Sequence, residues 1–265
     1  MSSTGSESST STNSVVDHHH HQQQQRDENI LKDGKCSSSS PQHHHQQQQQ
    51  QISNQHFDIN LVCDSFLRSI DDKSAIDIIL YLQAFAELNK FFNMFGTLFT
   101  FVTKDVQAKI DILQSYANET DDGYHYRTIQ SMIEHEKRNN LLKDQKRPSG
   151  SRTLLRLHRA LEFISTFLHE VTKIDDDDST VGSARNAYNR TLAHFHPWYI
   201  RKSVQLATYA LPYRRVLIER VYGGKVPPGG SAEVNQNMSH LANIADQVFN
   251  VTHKLYEEHS LLDLP

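Results

Sequence analysis

Cysteine is scarce: Cys36 and Cys63 are the only two. That is too few for a disulfide framework, and Cys36 lies in a polar stretch where a bridge to Cys63 is not expected. No apolar run reaches the roughly 18 residues that would suggest a membrane-spanning helix. The opening MSSTGSESSTSTNS has no apolar core of a secretory signal, so a cytosolic location is expected. The sequons at Asn118, Asn189, Asn237 and Asn250 are then expected to stay unglycosylated. A strong charge of one sign is missing too: 27 Lys and Arg face 31 Asp and Glu, for a net charge of −4. This argues against a general basic field for nucleic acid, while leaving room for a local basic cluster.

Catalytic signatures are equally absent. There is no GxxxxGK[ST], GxGxxG or GxSxG, so no nucleotide loop or nucleophile elbow is expected. His135-Glu136 and His169-Glu170 open like HExxH, but Asn139 and Lys173 stand where the second histidine belongs. The Asp175–Asp178 run lacks the spaced ligands and glycine of a calcium loop and reads as a solvated link. No enzyme chemistry, metal or cofactor is expected.

The apolar deficit, 37% for the whole chain, is concentrated in residues 1–56. This leader is rich in Ser, His and Gln, with HHHHQQQQ at 18–25 and HHHQQQQQQ at 43–51. Such tracts bury too little apolar area to offset ordering entropy, so the leader is expected to be disordered. Clustered imidazoles could bind metal, but no Cys or carboxylate spacing accompanies them.

Residues 57–265 read as one domain, about 210 residues, enough for a sizeable core. Helical periodicity runs almost throughout and strand alternation is not seen. The spacing predicts helices near 57–70, 74–93, 97–117, 123–143, 151–172, 183–195, 198–210, 212–222 and 231–258. Pro212 is expected in the first turn of its helix. The fold class is all-α.

Two helices carry charge where apolar residues are expected. Leu98, Phe101, Val102, Ile112 and Tyr116 all fall within about 60° of Asp105 on a helical wheel, and so does Lys109. The pair therefore sits in the apolar stripe, either as buried charges needing partners or as an exposed i,i+4 pair. In the second helix, Arg152 and Arg156 share a face with Phe163 and Phe167. Arginines one turn apart repel unless an anion lies between them, and guanidinium forks fit phosphate oxygens. A phenylalanine face fits a hydrocarbon chain. Pairing of these arginines with carboxylates from neighbouring helices is equally compatible with the sequence.

The segments FGTLFTFVTKDVQAKI, SGSRTLLRLHRALEFI, AYNRTLAHFHPW and KLYEEHSLLDLP, in this order, resemble the glycolipid transfer protein superfamily. The resemblance covers about 57–265 and leaves the leader without a counterpart. It implies a two-layer α-helical sandwich enclosing an apolar lipid pocket. It also implies a monomer that moves one sphingolipid at a time between membranes without covalent chemistry. Asp105 then matches the family's acceptor for the ceramide amide N–H, and His196 the donor to the acyl carbonyl. Lys109, Arg152 and Arg156 match the cluster of the phosphate-binding branch. The glycolipid branch has asparagine at the first of these positions and a sugar-stacking tryptophan at the last. Three cations suit a phosphomonoester of about −1.5 to −2 charge, which favours ceramide-1-phosphate and related phosphosphingolipids over neutral glycosphingolipids. Phe57, Phe92, Phe99, Phe163 and Phe167 are candidate chain-pocket residues, with plain core as the competing reading. Trp198, with Arg201 and Lys202, is a candidate membrane contact, with core packing again the competitor. Lys143, Lys146 and Arg147 either support the phosphate or face water. A sensor or adaptor binding the same lipid, and transfer of a glycosphingolipid, remain as alternatives.

Overall fold

The computed structural model describes residues 56–265 except Lys73, Glu119, Thr120 and Gln145. All belong to the compact unit Ile52–Pro265. The leader expected to be disordered lies, but for His56, outside the described residues.

Nine α-helices are present among the described residues: α1 Ile59–Ser69, α2 Ile78–Asn93, α3 Thr100–Asn118, α4 Ile129–Arg138, α5 Gly150–Val171, α6 Val181–Thr191, α7 Trp198–Thr208, α8 Arg214–Val221 and α9 Gly230–Glu258. They form the expected all-α, two-layer sandwich. Helices α1, α2 and α3 pack in succession, and α9, α5, α6 and α7 pack in a second succession; α3 against α5 and α1 against α9 join the two. The core between them includes Phe66, Leu82, Leu113, Leu161 and Leu241, each at most 2% exposed. Burying a side chain of this size stabilises the fold by about 1.5–3 kcal/mol.

The differences from the sequence reading have local causes. Helix α2 begins at Ile78 rather than 74 because the preceding residues pair elsewhere, Ile70 with Ile76 and Asp77 with Thr128. The stretch predicted as one helix over 123–143 is broken. Only its middle is α-helix, because Thr128 and Ser131 form a capping box that starts α4 afresh, and Asn140 at φ 56 stops it. Gly123 lies so close to α3 that a Cβ would sit 2.6 Å from the Ala117 carbonyl oxygen. Pro212 stands before the N-cap Tyr213, not inside α8; its carbonyl accepts from the Thr180 hydroxyl at 2.7 Å. The Asp175–Asp178 run is more than a solvated link. Asp176 pairs with buried Arg214 and accepts from Ser231, and Asp177 pairs with Arg215.

Among the described residues no helix is long and apolar enough to cross a membrane.

Candidate functional site

A cavity of about 560 Å³ opens between α2 and α3 on one side and α5, α6 and α7 on the other. Its walls are largely apolar, with nine phenylalanines and Tyr188 among them; Asp105, Lys109, Arg156 and Arg159 are its charged groups, and His196 joins them in the lining. Its volume falls in the range of about 300–1,000 Å³ common for small-molecule sites.

Helix α3 delivers Asp105 and Lys109. The Lys109 ammonium is buried, its side chain 11% exposed, whereas that of Asp105 is 67% exposed, and the two meet at 2.5 Å. Lys109 also reaches the Asp105 carbonyl oxygen at 3.3 Å. The apolar stripe thus holds only the lysine; the carboxylate stands at the rim and keeps most of its acceptor capacity free for solvent or ligand.

Helix α5 delivers the arginines, and its first turn is fixed from inside the protein. Gly150 N–H donates to Glu136 Oε1 at 2.6 Å and Ser151 N–H to Oε2 at 3.0 Å. The Ser149 hydroxyl donates to the same carboxylate at 2.6 Å and accepts from Arg152 N–H at 3.1 Å. The N–H groups that a helix start leaves free, and its positive end, are therefore satisfied by a buried carboxylate. Any anion at this site must be held by side chains. A Cβ on Gly150 would lie 2.7 Å from Met132 Sδ, so any side chain there would force its neighbours to shift.

Arg156 borders the cavity. Arg152, one turn earlier and half-buried, is not part of the lining. Arg159 is, and sequence reasoning missed it, although a spacing of seven returns it to within about 20° of Arg152 on the wheel. Its guanidinium lies over the Phe195 ring at 3.8 Å. Burial, then the neighbouring Arg156 charge, hold its pKa below the ordinary arginine value, with Asp263 opposing.

His196 follows the short 3₁₀ turn Ala193–Phe195 and borders the cavity. Burial lowers its pKa from 6.5; Asp105 opposes the shift, while Lys109, Arg159 and His194 assist it. The imidazole is therefore neutral at pH 7, with one donor and one acceptor nitrogen. The Tyr188 hydroxyl lies 2.9 Å from Nδ1. Tyr188 was also missed in the sequence; nothing in its spacing marks a partner eight residues on across a helix end.

The candidate chain-pocket residues divide. Phe92, Phe99, Phe163 and Phe167 border the cavity. Phe57 does not; it borders a neighbouring apolar pocket of about 30 Å³ that shares Phe163 and Phe167 with the main one. Trp198 is 70% exposed, beside Tyr199 at 56% and with Leu206 at 65%, so it is not core. Arg201 and Lys202 are exposed on the same helix. Arg147 does not simply face water: its guanidinium lies 3.7 Å over the Tyr116 ring.

The glycolipid transfer protein family model matches residues 76–223. The ceramide-1-phosphate transfer protein of Xenopus tropicalis is 39% identical over 200 residues, 74% of this chain and 90% of that protein. The human protein of that name is 36% identical over 217 residues, 80% of this chain and 99% of its own. A crystal structure of the human protein with 2:0 ceramide-1-phosphate matches with a TM-score of 0.72, at 36% identity, over 79% of this chain and all of that one. With its helical sandwich and the cavity between the layers, the chain belongs to the glycolipid transfer protein family.

Proposed function

We propose that this chain transfers ceramide-1-phosphate between membranes, by non-covalent carriage and without enzymatic change to the lipid. The observation that carries the reading is the presence of Lys109 and Arg156 in the lining of an otherwise largely apolar cavity. Lys109, Arg152 and Arg156 bind the phosphate, with Arg152 meeting it from outside the cavity. Three cations against about −1.5 to −2 of phosphate charge match in size and sign. Asp105 accepts the ceramide amide N–H. His196 donates to the acyl carbonyl through Nε2–H, in the tautomer whose Nδ1 accepts from the Tyr188 hydroxyl 2.9 Å away. The chains lie against Phe92, Phe99, Phe163 and Phe167. Trp198, Arg201 and Lys202 touch the membrane, the ring at the interface and the cations toward anionic headgroups. The chain acts in the cytosol as a monomer, bound to membranes only transiently.

The test is transfer of labelled ceramide-1-phosphate and of a labelled glycosphingolipid between vesicles, for the wild type and for Arg156→Leu and Lys109→Leu. Selective transfer of the phosphorylated lipid, lost in both variants with helical signal intact, is the expected result. Transfer of the glycolipid instead, or indifference to both substitutions, would sink the headgroup assignment. Binding without transfer would mean that the protein senses the lipid and does not carry it.

A further inference from the structure

Helix α7 has two different faces. Ile200, Val204 and Ala207 border the cavity. On a helical wheel they fall about 120° or more from Trp198, whereas Lys202, Leu206 and the C-cap Tyr209 fall within about 80° of it. Trp198, Leu206 and Tyr209 are exposed, and so is Lys202. This outer face and α6 line a second groove, of about 460 Å³. Helix α6 contributes Arg185 and Asn189, one turn apart; α7 and its cap contribute Lys202, Gln205 and Tyr209. The lining holds two cations and no carboxylate, in a chain whose net charge is −4.

Arg185 is held in place but not used up. Its Nε donates to Thr208 Oγ1 at 3.1 Å, and its guanidinium lies over the Tyr209 ring at 4.2 Å. Thr208 is buried, and its hydroxyl is fixed in turn by donating to the Gln205 carbonyl at 2.7 Å. The two Nη groups of Arg185 have no hydrogen-bond or ion-pair partner among the described residues. Other polar groups of α6 do find a carboxylate: Asn186 donates to Glu170 at 2.9 Å, and Arg190 meets it at 3.7 Å. Both lie about 100–140° around the helix from Arg185, so that carboxylate is engaged away from the groove.

We infer that the α6–α7 groove holds the phosphate of an anionic membrane phospholipid, a second lipid that is gripped and not carried. The inference rests on the reading of Trp198 as a membrane contact and gives that contact a partner. Arg185 presents its two free Nη groups as a fork for phosphate oxygens. The fork is already oriented, so little freedom is lost on binding. Lys202 adds a point charge from the facing helix. The occupant is a membrane lipid because the α7 side of the groove is the face that carries exposed Trp198, Leu206 and Tyr209, side chains suited to the bilayer interface. That lipid stays in the bilayer because Val204 and Leu206 are the only aliphatic side chains in the lining; the groove takes a headgroup and leaves the chains behind. Held there, the lipid keeps α7 at the bilayer surface, and α7 is a wall of the cavity that receives the cargo.

Trp198 is the only tryptophan, so its emission reports vesicle contact on the full chain without a label. Vesicles of phosphatidylcholine are compared with vesicles in which part of it is replaced by phosphatidylglycerol, whose only charge is its phosphate. The wild type is expected to bind the second kind more tightly. Arg185→Gln and Lys202→Gln should each cut that gain roughly 10-fold or more, the size of a charge-assisted hydrogen bond. Arg201→Gln removes the same charge one residue from Lys202 and outside the groove lining. It should cut the gain only about 5-fold or less, as a diffuse surface charge does. Lys202 makes no hydrogen bond or ion pair among the described residues, so its variant does not depend on an intact α6–α7 clamp. Equal losses in all three variants overturn the groove in favour of general attraction. Equal binding of both vesicles by the wild type overturns the groove while the membrane contact stands. No response of Trp198 to either vesicle overturns the membrane contact, and the groove with it. Calorimetric binding of inorganic phosphate without vesicles, lost in Arg185→Gln, gives the groove to a soluble phosphate and overturns the lipid.

Discussion

Arg214 and Arg156 are the same residue type in opposite settings. Arg214 is 2% exposed and its donors are taken: Nε by the Val171 carbonyl at 3.0 Å, Nη1 by Asp176, Nη2 by Asn235 Oδ1 at 2.5 Å. It ties the α5–α6 link to α8 and α9. Arg156 is exposed and makes one long contact, to a carbonyl. An arginine that stabilises is one whose donors end on the protein. The arginine proposed to bind is one whose donors the protein leaves under-used.

That contrast can be broken by substitution. Arg214→Leu should cost about 3–5 kcal/mol of unfolding free energy, because it leaves Asp176 and the Val171 carbonyl without their partner. Urea titration reads this, and a loss below about 1 kcal/mol would show that the clamp is ornamental. Next in size is an acid effect at the α5–α9 interface. His158 is stacked on Phe249 at 4.3 Å, and burial lowers its pKa from 6.5 to about 3. The folded protein therefore binds this proton later than the unfolded chain does. The neutral His158 contributes its full stability above pH 6.5 and loses it progressively as pH falls toward 3, at up to about 1.4 kcal/mol per pH unit. His158→Phe, which keeps a stacking ring, should flatten that slope in melts run across this range. Arg156→Leu should weaken ceramide-1-phosphate binding by about 1.5–3 kcal/mol, a charged hydrogen bond's worth. The smallest effect is its companion: the same substitution should move unfolding free energy by less than about 0.5 kcal/mol. If Arg156→Leu instead destabilised as much as Arg214→Leu, the two arginines would not differ in kind.

The fold class was legible because nearly every segment repeats its apolar residues at helical spacing. The breaks were not, since they depend on distant strands of chain. Nothing near residue 74 reveals that Asp77 will pair with Thr128. Within the site, Lys109 betrayed itself as a charge on an apolar stripe, and Arg156 as one of two cations on a phenylalanine face. The exposure of Asp105 was not readable, because a wheel shows direction and not depth. Arg159 was overlooked because the wheel was read in steps of four and not continued to seven. Glu136 was weighed only as half of a failed zinc motif; its partners lie 13 to 15 residues away at the start of α5, beyond any local pattern. Asp175–Asp178 misled for the same reason, since Arg214 lies 38 residues from Asp176.

Gly150 has a reach out of proportion to its size. It is wedged between the side chains of Met132, Tyr126 and Glu136, which would have to shift to admit a Cβ. Helix α5 is a rigid rod from that wedge onward, and Arg156 lies six residues along it, about 9 Å. A methyl group at Gly150 would press on three side chains, Met132, Tyr126 and Glu136, and Glu136 is the carboxylate that holds the first turn of the helix. A position away from the cavity thus bears on the anchoring of the helix that carries the proposed headgroup arginines, and a survey of variants by distance from the cavity would misjudge it.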